Sequence, residues 1–109
     1  MDTVSLPMKL AVEFAGTLFF LSVIISTGNW AAIGAALALV AFLGGGISGG
    51  HFNPAVTFMF FVKDEIPLRD ALAYVIVQLL GGATAFFLYD TLVTKRVASK
   101  EWKGGGKSK

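Results

Sequence analysis

The stretch Gly44-Gly-Gly-Ile-Ser-Gly-Gly-His-Phe-Asn-Pro-Ala-Val-Thr57 joins a glycine-rich loop directly to the start of a helix. Asn53 suits the N-cap, because its side-chain oxygen can accept a free backbone N–H of the first turn. Pro54 suits the first helical position, where its missing N–H costs nothing. The apolar residues 55–62 that follow predict a helix of about nine residues, which is roughly 13 Å long.

This predicted helix is under half as long as a membrane's hydrocarbon core, which is about 30 Å thick. Backbone outside helices is tolerated at membrane depth only where it is buried in protein or lines a water-filled cavity. A half-length apolar helix entered through a glycine-rich loop therefore predicts a re-entrant element of a pore.

The composition is that of a membrane protein. The sequence has 109 residues, of which 55% are hydrophobic and 15% are charged. Soluble domains carry about 25% charged residues, so we expect an integral, multi-pass membrane protein with room for one small domain. The sequence has no Cys, which excludes disulfides and thiolate metal sites.

Three apolar segments predict membrane-spanning helices, at residues 10–27, 31–46 and 68–89. Together with the half-helix they predict an all-α membrane protein, and the odd number of spans places the two termini on opposite sides. A polar segment at residues 1–9 precedes the membrane domain of residues 10–89. The basic tail at residues 90–109 is predicted to be disordered.

Two of the polar residues within the predicted spans are candidates for a functional role. Glu13 lies about one turn into the first span, and Gln78 lies in the third. A loop inside the membrane has backbone donors that need acceptors, so both residues are predicted to support the loop. The alternatives are that Glu13 reaches back to the interface and that Gln78 bonds between helices without touching the loop.

Small residues accompany both polar residues. Gly16 follows Glu13 by three positions, and Gly81 and Gly82 follow Gln78 by three and four. These spacings place each polar residue and its small neighbour on one helix face. We expect a tight helix bundle around the loop.

His51 has two further interpretations, as a metal ligand or as a proton carrier. The sequence contains no second His and no Cys to join it, so a metal site is not predicted.

Three motifs in residues 10–89 resemble the N-terminal half of the aquaporin (major intrinsic protein) family. Residues 13–17 resemble its first-helix motif E-x-x-G-T, residues 46–57 its first Asn-Pro-Ala loop, and residues 73–81 its third helix. The resemblance implies an aquaporin-like half-repeat of three transmembrane helices plus the half-helix. It also implies a channel rather than an enzyme, with no catalytic residue and no cofactor.

The resemblance assigns pore roles to the loop. The Asn53 side chain would donate hydrogen bonds to the passing solute, at the start of the motif that Pro54 and Ala55 complete. The backbone carbonyls before it would form a ladder of acceptors, at Gly49, Gly50, His51 and Phe52. The permeant implied is water or a small neutral solute.

A full-length member has two such halves in inverted orientation, and this sequence matches one. Val56 stands where the second family loop carries the Arg of its selectivity filter, so that filter is not implied here. We therefore expect the pore to be completed within the lipid bilayer by a second copy in antiparallel orientation or by a complementary half.

The basic residues bear on orientation. The family arrangement places Lys9, Lys63 and Arg69 on the cytoplasmic side, whereas six basic residues follow Asp90. The positive-inside rule places this tail in the cytoplasm instead, so insertion in both orientations is plausible. A membrane-flanking tail explains these residues better than binding to nucleic acid does.

The leading functional hypothesis is a membrane channel subunit for passive transport of water or small neutral solutes. The alternative is a non-conducting or auxiliary, truncated aquaporin-like membrane protein. A peptide that anchors to or perturbs membranes is a third hypothesis, but it requires neither Glu13, nor the loop, nor Gln78.

Overall fold

The structure is a computed structural model that describes the backbone of residues 3–103 and the side chains of residues 3–100. It contains four helices: α1 (Leu6–Thr27), α2 (Trp30–Ser48), α3 (Pro54–Val62) and α4 (Leu68–Lys103). Three of them, α1, α2 and α4, are long and apolar enough to cross a membrane. The described residues contain no strand, so the predicted all-α class with three spans and one half-helix is confirmed.

Capping residues set the ends of the first two helices. The Ser5 side chain accepts a hydrogen bond from the Met8 N–H at 3.4 Å, so α1 begins four residues before the predicted apolar segment. Gly28 closes α1 in the left-handed conformation at φ 55°. Asn29 then caps α2, accepting from the Ala32 N–H at 2.9 Å, which keeps the connection between the two helices tight.

The last helix is longer than the predicted span. The apolar segment ends at Tyr89, yet α4 continues to Lys103, where disorder was predicted. Residues 90–103 contain neither Gly nor Pro, so nothing in them breaks a helix. The polar side chains mark a change of surroundings rather than of backbone conformation. The rest of the predicted disordered tail lies outside the described residues, and the three-part division of the chain stays a prediction.

Helix α1 lies at the centre of the bundle, packing against both α2 and α4, while α3 packs against α4. The approach of α4 to α1 is closest at two glycines. A Cβ on Gly81 would lie 3.1 Å from the Thr17 Cβ and 3.2 Å from the Phe14 carbonyl oxygen, and one on Gly82 would lie 3.1 Å from a methyl carbon of Leu21. Small residues permit this close approach of backbones.

Among the described residues, half of the buried ones other than glycine are polar or charged, whereas many large apolar side chains are exposed. The largest fully buried side chains are Gln78, Glu13, Thr17 and Thr57. Large apolar side chains face outward instead, with Trp30 85% and Phe42 83% exposed. A soluble protein buries such side chains and rarely exposes large apolar patches. This arrangement is the one that a hydrocarbon surrounding favours.

The crossing of α1 and α4 yields a stability prediction. Gly81→Ala should lower the free energy of unfolding by about 1–3 kcal/mol, because its methyl group overpacks a crossing that has no space for it. Gly34→Ala is the matched control, since nothing lies within 4 Å of a Cβ there, and it should lose no stability. Thermal unfolding in detergent compares the two. Equal melting temperatures for the two variants would contradict the close crossing.

Candidate functional site

The half-helix α3 begins at an exposed asparagine. Asn53 adopts an extended backbone at φ −162°, and its Oδ1 accepts from the Ala55 N–H at 2.7 Å. Pro54 follows at the first helical position, as the sequence predicts. The cap uses the amide oxygen, and no hydrogen bond within the described part of the chain engages the Asn53 Nδ2. Its two N–H groups are therefore the donors that this side chain presents.

The loop before Asn53 turns through left-handed backbone. Gly49, Gly50 and Phe52 have φ values of 95°, 67° and 54°. Glycine adopts this region without penalty, whereas a bulky residue there costs of order 1–3 kcal/mol. No hydrogen bond among the described residues ends on a carbonyl oxygen of residues 49–52. These four acceptors are the ones that the resemblance assigns to the pore.

Glu13 lies beneath the loop and is fully buried. Its Oε2 accepts from the Ser48 hydroxyl at 2.7 Å and from the His51 N–H at 3.0 Å. Its Oε1 accepts from the Phe52 N–H at 2.8 Å and from the Gln78 Nε2 at 3.0 Å. The carboxylate therefore contacts the loop directly and is not exposed at the surface of the protein.

Gln78 supports the loop indirectly, through Glu13 and Thr57. Its Nε2 donates to Glu13 and, at 2.9 Å, to the Thr57 hydroxyl on α3, but it makes no hydrogen bond to residues 49–52. It thereby links α4 to α1 and to the half-helix. Its Oε1, like the Thr17 hydroxyl, is buried with no partner among the described residues.

The His51 side chain packs into the protein beside the loop. Its Nδ1 lies 2.8 Å from the Thr57 hydroxyl, and its ring stacks on Phe60 with centroids 4.8 Å apart. The Tyr74 ring lies beside it in a tilted arrangement, with centroids 5.0 Å apart. No group of three or more His, Asp and Glu side chains that could hold a metal occurs in the described part of the chain. These contacts give the ring a packing role.

Sequence reasoning missed three residues of this network. Ser48 and Thr57 bond to Glu13, His51 and Gln78 as described, and the Tyr74 hydroxyl donates to the Ser48 carbonyl at 2.6 Å. Ser48 and Thr57 lie inside the loop motif itself, and Tyr74 lies one turn before Gln78. Their positions beside residues already singled out were the features of the sequence that could have identified them.

A cavity of about 530 Å³ adjoins the loop on the side of His51 and Gly49. Its rim carries charged side chains from three parts of the chain, namely Lys9, Glu65 and Asp70. Loop backbone therefore faces a polar space that is large enough for water.

Comparison with known proteins identifies the family. The family model described as Major intrinsic protein matches residues 22–106, which is most of the chain. The chain belongs to the major intrinsic protein family. With three helices long and apolar enough to span a membrane, this family member is an integral, multi-pass membrane protein.

Several curated relatives share part of the sequence. A glycerol uptake facilitator protein-like 6 of Lactiplantibacillus plantarum is 44% identical over 86 residues, which are 71% of this chain and 40% of that protein. Aquaporin Z of Brucella melitensis is 36% identical over 97 residues, 74% of this chain and 42% of that protein. Aquaporin AqpM of Methanothermobacter thermautotrophicus is 44% identical over 66 residues, 57% of this chain and 27% of that protein.

The chain therefore spans less than half the length of these relatives. No solved structure matches it.

The burial of Glu13 yields a prediction that distinguishes this carboxylate from one on the protein surface. Glu13→Gln turns one of two acceptor oxygens into a donor, which leaves either the His51 N–H or the Phe52 N–H without its acceptor. Each stranded buried group costs about 1–3 kcal/mol, so the free energy of unfolding of this major intrinsic protein in detergent should fall by at least that amount. Thermal unfolding measures the loss.

Glu65→Gln is the matched control. The Glu65 side chain is 50% exposed and pairs with Lys63 at 2.8 Å, and such exposed ion pairs contribute about 0–1 kcal/mol. Unchanged stability in Glu13→Gln would show that the carboxylate does not hold the loop.

Proposed function

We propose that this chain forms one half of a transmembrane pore that conducts water or small neutral solutes passively. The observation that carries the proposal is the exposed Asn53 beside a run of backbone carbonyls that accept no hydrogen bond within the described chain. A solute that can both donate and accept hydrogen bonds would find partners for both there. Pore selectivity in channels is built from such rings of fixed donors and acceptors.

The half-helix adds an electrostatic element. Its N-terminus carries the equivalent of roughly half a positive charge, and Asn53 stands at that end of α3. This partial charge would raise the barrier to cations beside Asn53 in the proposed pore. Transport of this kind breaks no covalent bond, so the proposal includes no catalytic residue and no metal.

The proposed pore must be closed on its other side by further protein. Asn53, Ala55 and Gly49 are exposed on the open side of the half-repeat. Polar backbone at membrane depth must be covered by protein or water, not by lipid. We propose that an inverted half covers this side, supplied by a second, antiparallel copy of the chain or by a separate complementary half, as in the inverted repeats of transporters.

Swelling of proteoliposomes tests conduction, with both water and glycerol because the relatives are named as aquaporins and as a glycerol uptake facilitator. Asn53→Asp should sharply lower the flux, because a carboxylate replaces the N–H donors and attracts cations. Asn29→Asp is the matched control, since Asn29 caps α2 in the same way and Asp caps equally well. Its flux should equal that of the unmodified chain.

Purified protein that swells no faster than empty liposomes would eliminate the self-completed channel. The non-conducting or auxiliary interpretation would then stand.

Antiparallel pairing requires both orientations in one membrane. Labelling a C-terminal tag from one side of sealed vesicles should therefore modify only part of the protein. Neutralising Lys95 and Arg96 should shift that fraction towards an outside tail, whereas neutralising Lys107 and Lys109, which lie farther along the sequence, should matter little. Labelling of all or none of the intact protein would contradict antiparallel copies.

A further inference from the structure

The side chain of Phe52 does not face the pore. Its ring is 2% exposed and lies between α1 and α2. A Cβ on Gly16 would lie 2.6 Å from the Phe52 Cδ1, and a Cβ on Gly44 would lie 3.0 Å from its Cζ. The two glycines, one on each helix, therefore form a notch that the ring occupies.

The backbone of Phe52 is held from the same side. Its N–H donates to the Glu13 Oε1 at 2.8 Å, and Glu13 precedes Gly16 by three residues on α1. One face of α1 thus supplies both the acceptor for this N–H and half of the notch for the ring. Residue 52 is fixed at two points.

The conformation fixed in this way is one that an aromatic residue rarely adopts. Phe52 has φ 54°, which is sterically disfavoured for a bulky side chain. Without the ring in its notch, residue 52 would relax towards negative φ. That rotation would turn the peptide units on either side of it, and hence the His51 carbonyl and the start of α3 at Asn53.

We infer that Phe52 is a positioning residue of the pore. Its ring, seated in the notch of Gly16 and Gly44, holds the left-handed turn that orients the last acceptors and the Asn53 donor. The inference deepens the proposed channel function and rests on it.

The ring has room to move. An apolar groove of about 320 Å³ opens beside it, lined by Val12, Ala15, Val40, Leu43 and Ile47. A methyl group added at Gly16 would push the ring towards this groove and pull residue 52 out of its turn. The damage would come from the collision with the ring and would vanish when the ring is absent.

A double-mutant cycle in the full chain tests this dependence. Gly16→Ala and Phe52→Ala should each lower solute flux and each speed hydrogen exchange at the residue 52 N–H. The double variant should be no worse than Phe52→Ala alone, because two residues in contact do not act additively. Gly34→Ala is the control, with nothing within 4 Å of its Cβ, and its effect should be nil in either background.

The outcomes separate the two proposals. Additive losses in the double variant, or normal flux and exchange in Phe52→Ala, would overturn the positioning role. If Gly16→Ala fails to insert, restored insertion in the double variant supports the notch, and continued failure overturns it. An unmodified chain without flux would overturn the self-completed channel, while the exchange cycle would still decide whether the ring holds the turn.

Discussion

The hydrogen bonds that Glu13 accepts are the interaction on which the rest of the fold depends. An irregular loop at membrane depth has backbone N–H groups that no lipid can satisfy, and a buried carboxylate is costly unless donors surround it. Here the loop N–H groups are the donors that the carboxylate needs, and the carboxylate is the acceptor that the loop needs. The carboxylate receives two N–H groups of the loop, the hydroxyl that ends α2 and the amide on α4, so one side chain connects every part of the half-repeat except α3.

The glycines of the bundle allow the helices to approach closely enough for this network to form. Hydrogen bonds between side chains on different helices require backbones that approach closely, and Gly81 lets α4 approach to within contact of the α1 backbone. Gln78, one turn earlier on α4, then lies within 3.0 Å of Glu13. Through Thr57, the same amide brings the half-helix into the network. The hydrogen bonds of this network therefore depend on the packing of the small residues. The close crossing brings the polar side chains of different helices together, and their hydrogen bonds satisfy groups that lipid could not.

The sequence predicted the elements of this fold better than their contacts. Hydropathy located three spans, and Asn53 followed by Pro54 predicted where the half-helix begins, because capping is local chemistry. The end of α4 was not predictable in the same way, since hydropathy reports the surroundings of a helix and not its length. The indirect route from Gln78 to the loop and the burial of the Phe52 ring depend on residues of separate helices. No local sequence pattern predicts which glycines on two different helices will pack against the Phe52 ring.

Glu13 does more than satisfy the loop, because a trans peptide unit points its N–H and its C=O in opposite directions. The chain has no cis peptide bond among the described residues. The His51 and Phe52 N–H groups both point at the buried carboxylate. The carbonyls of the same two peptide units, those of Gly50 and His51, must therefore point away from it. A single buried acceptor thus determines which face of the loop carries acceptors, and the left-handed turn at Phe52 ends this ordered stretch where the half-helix begins.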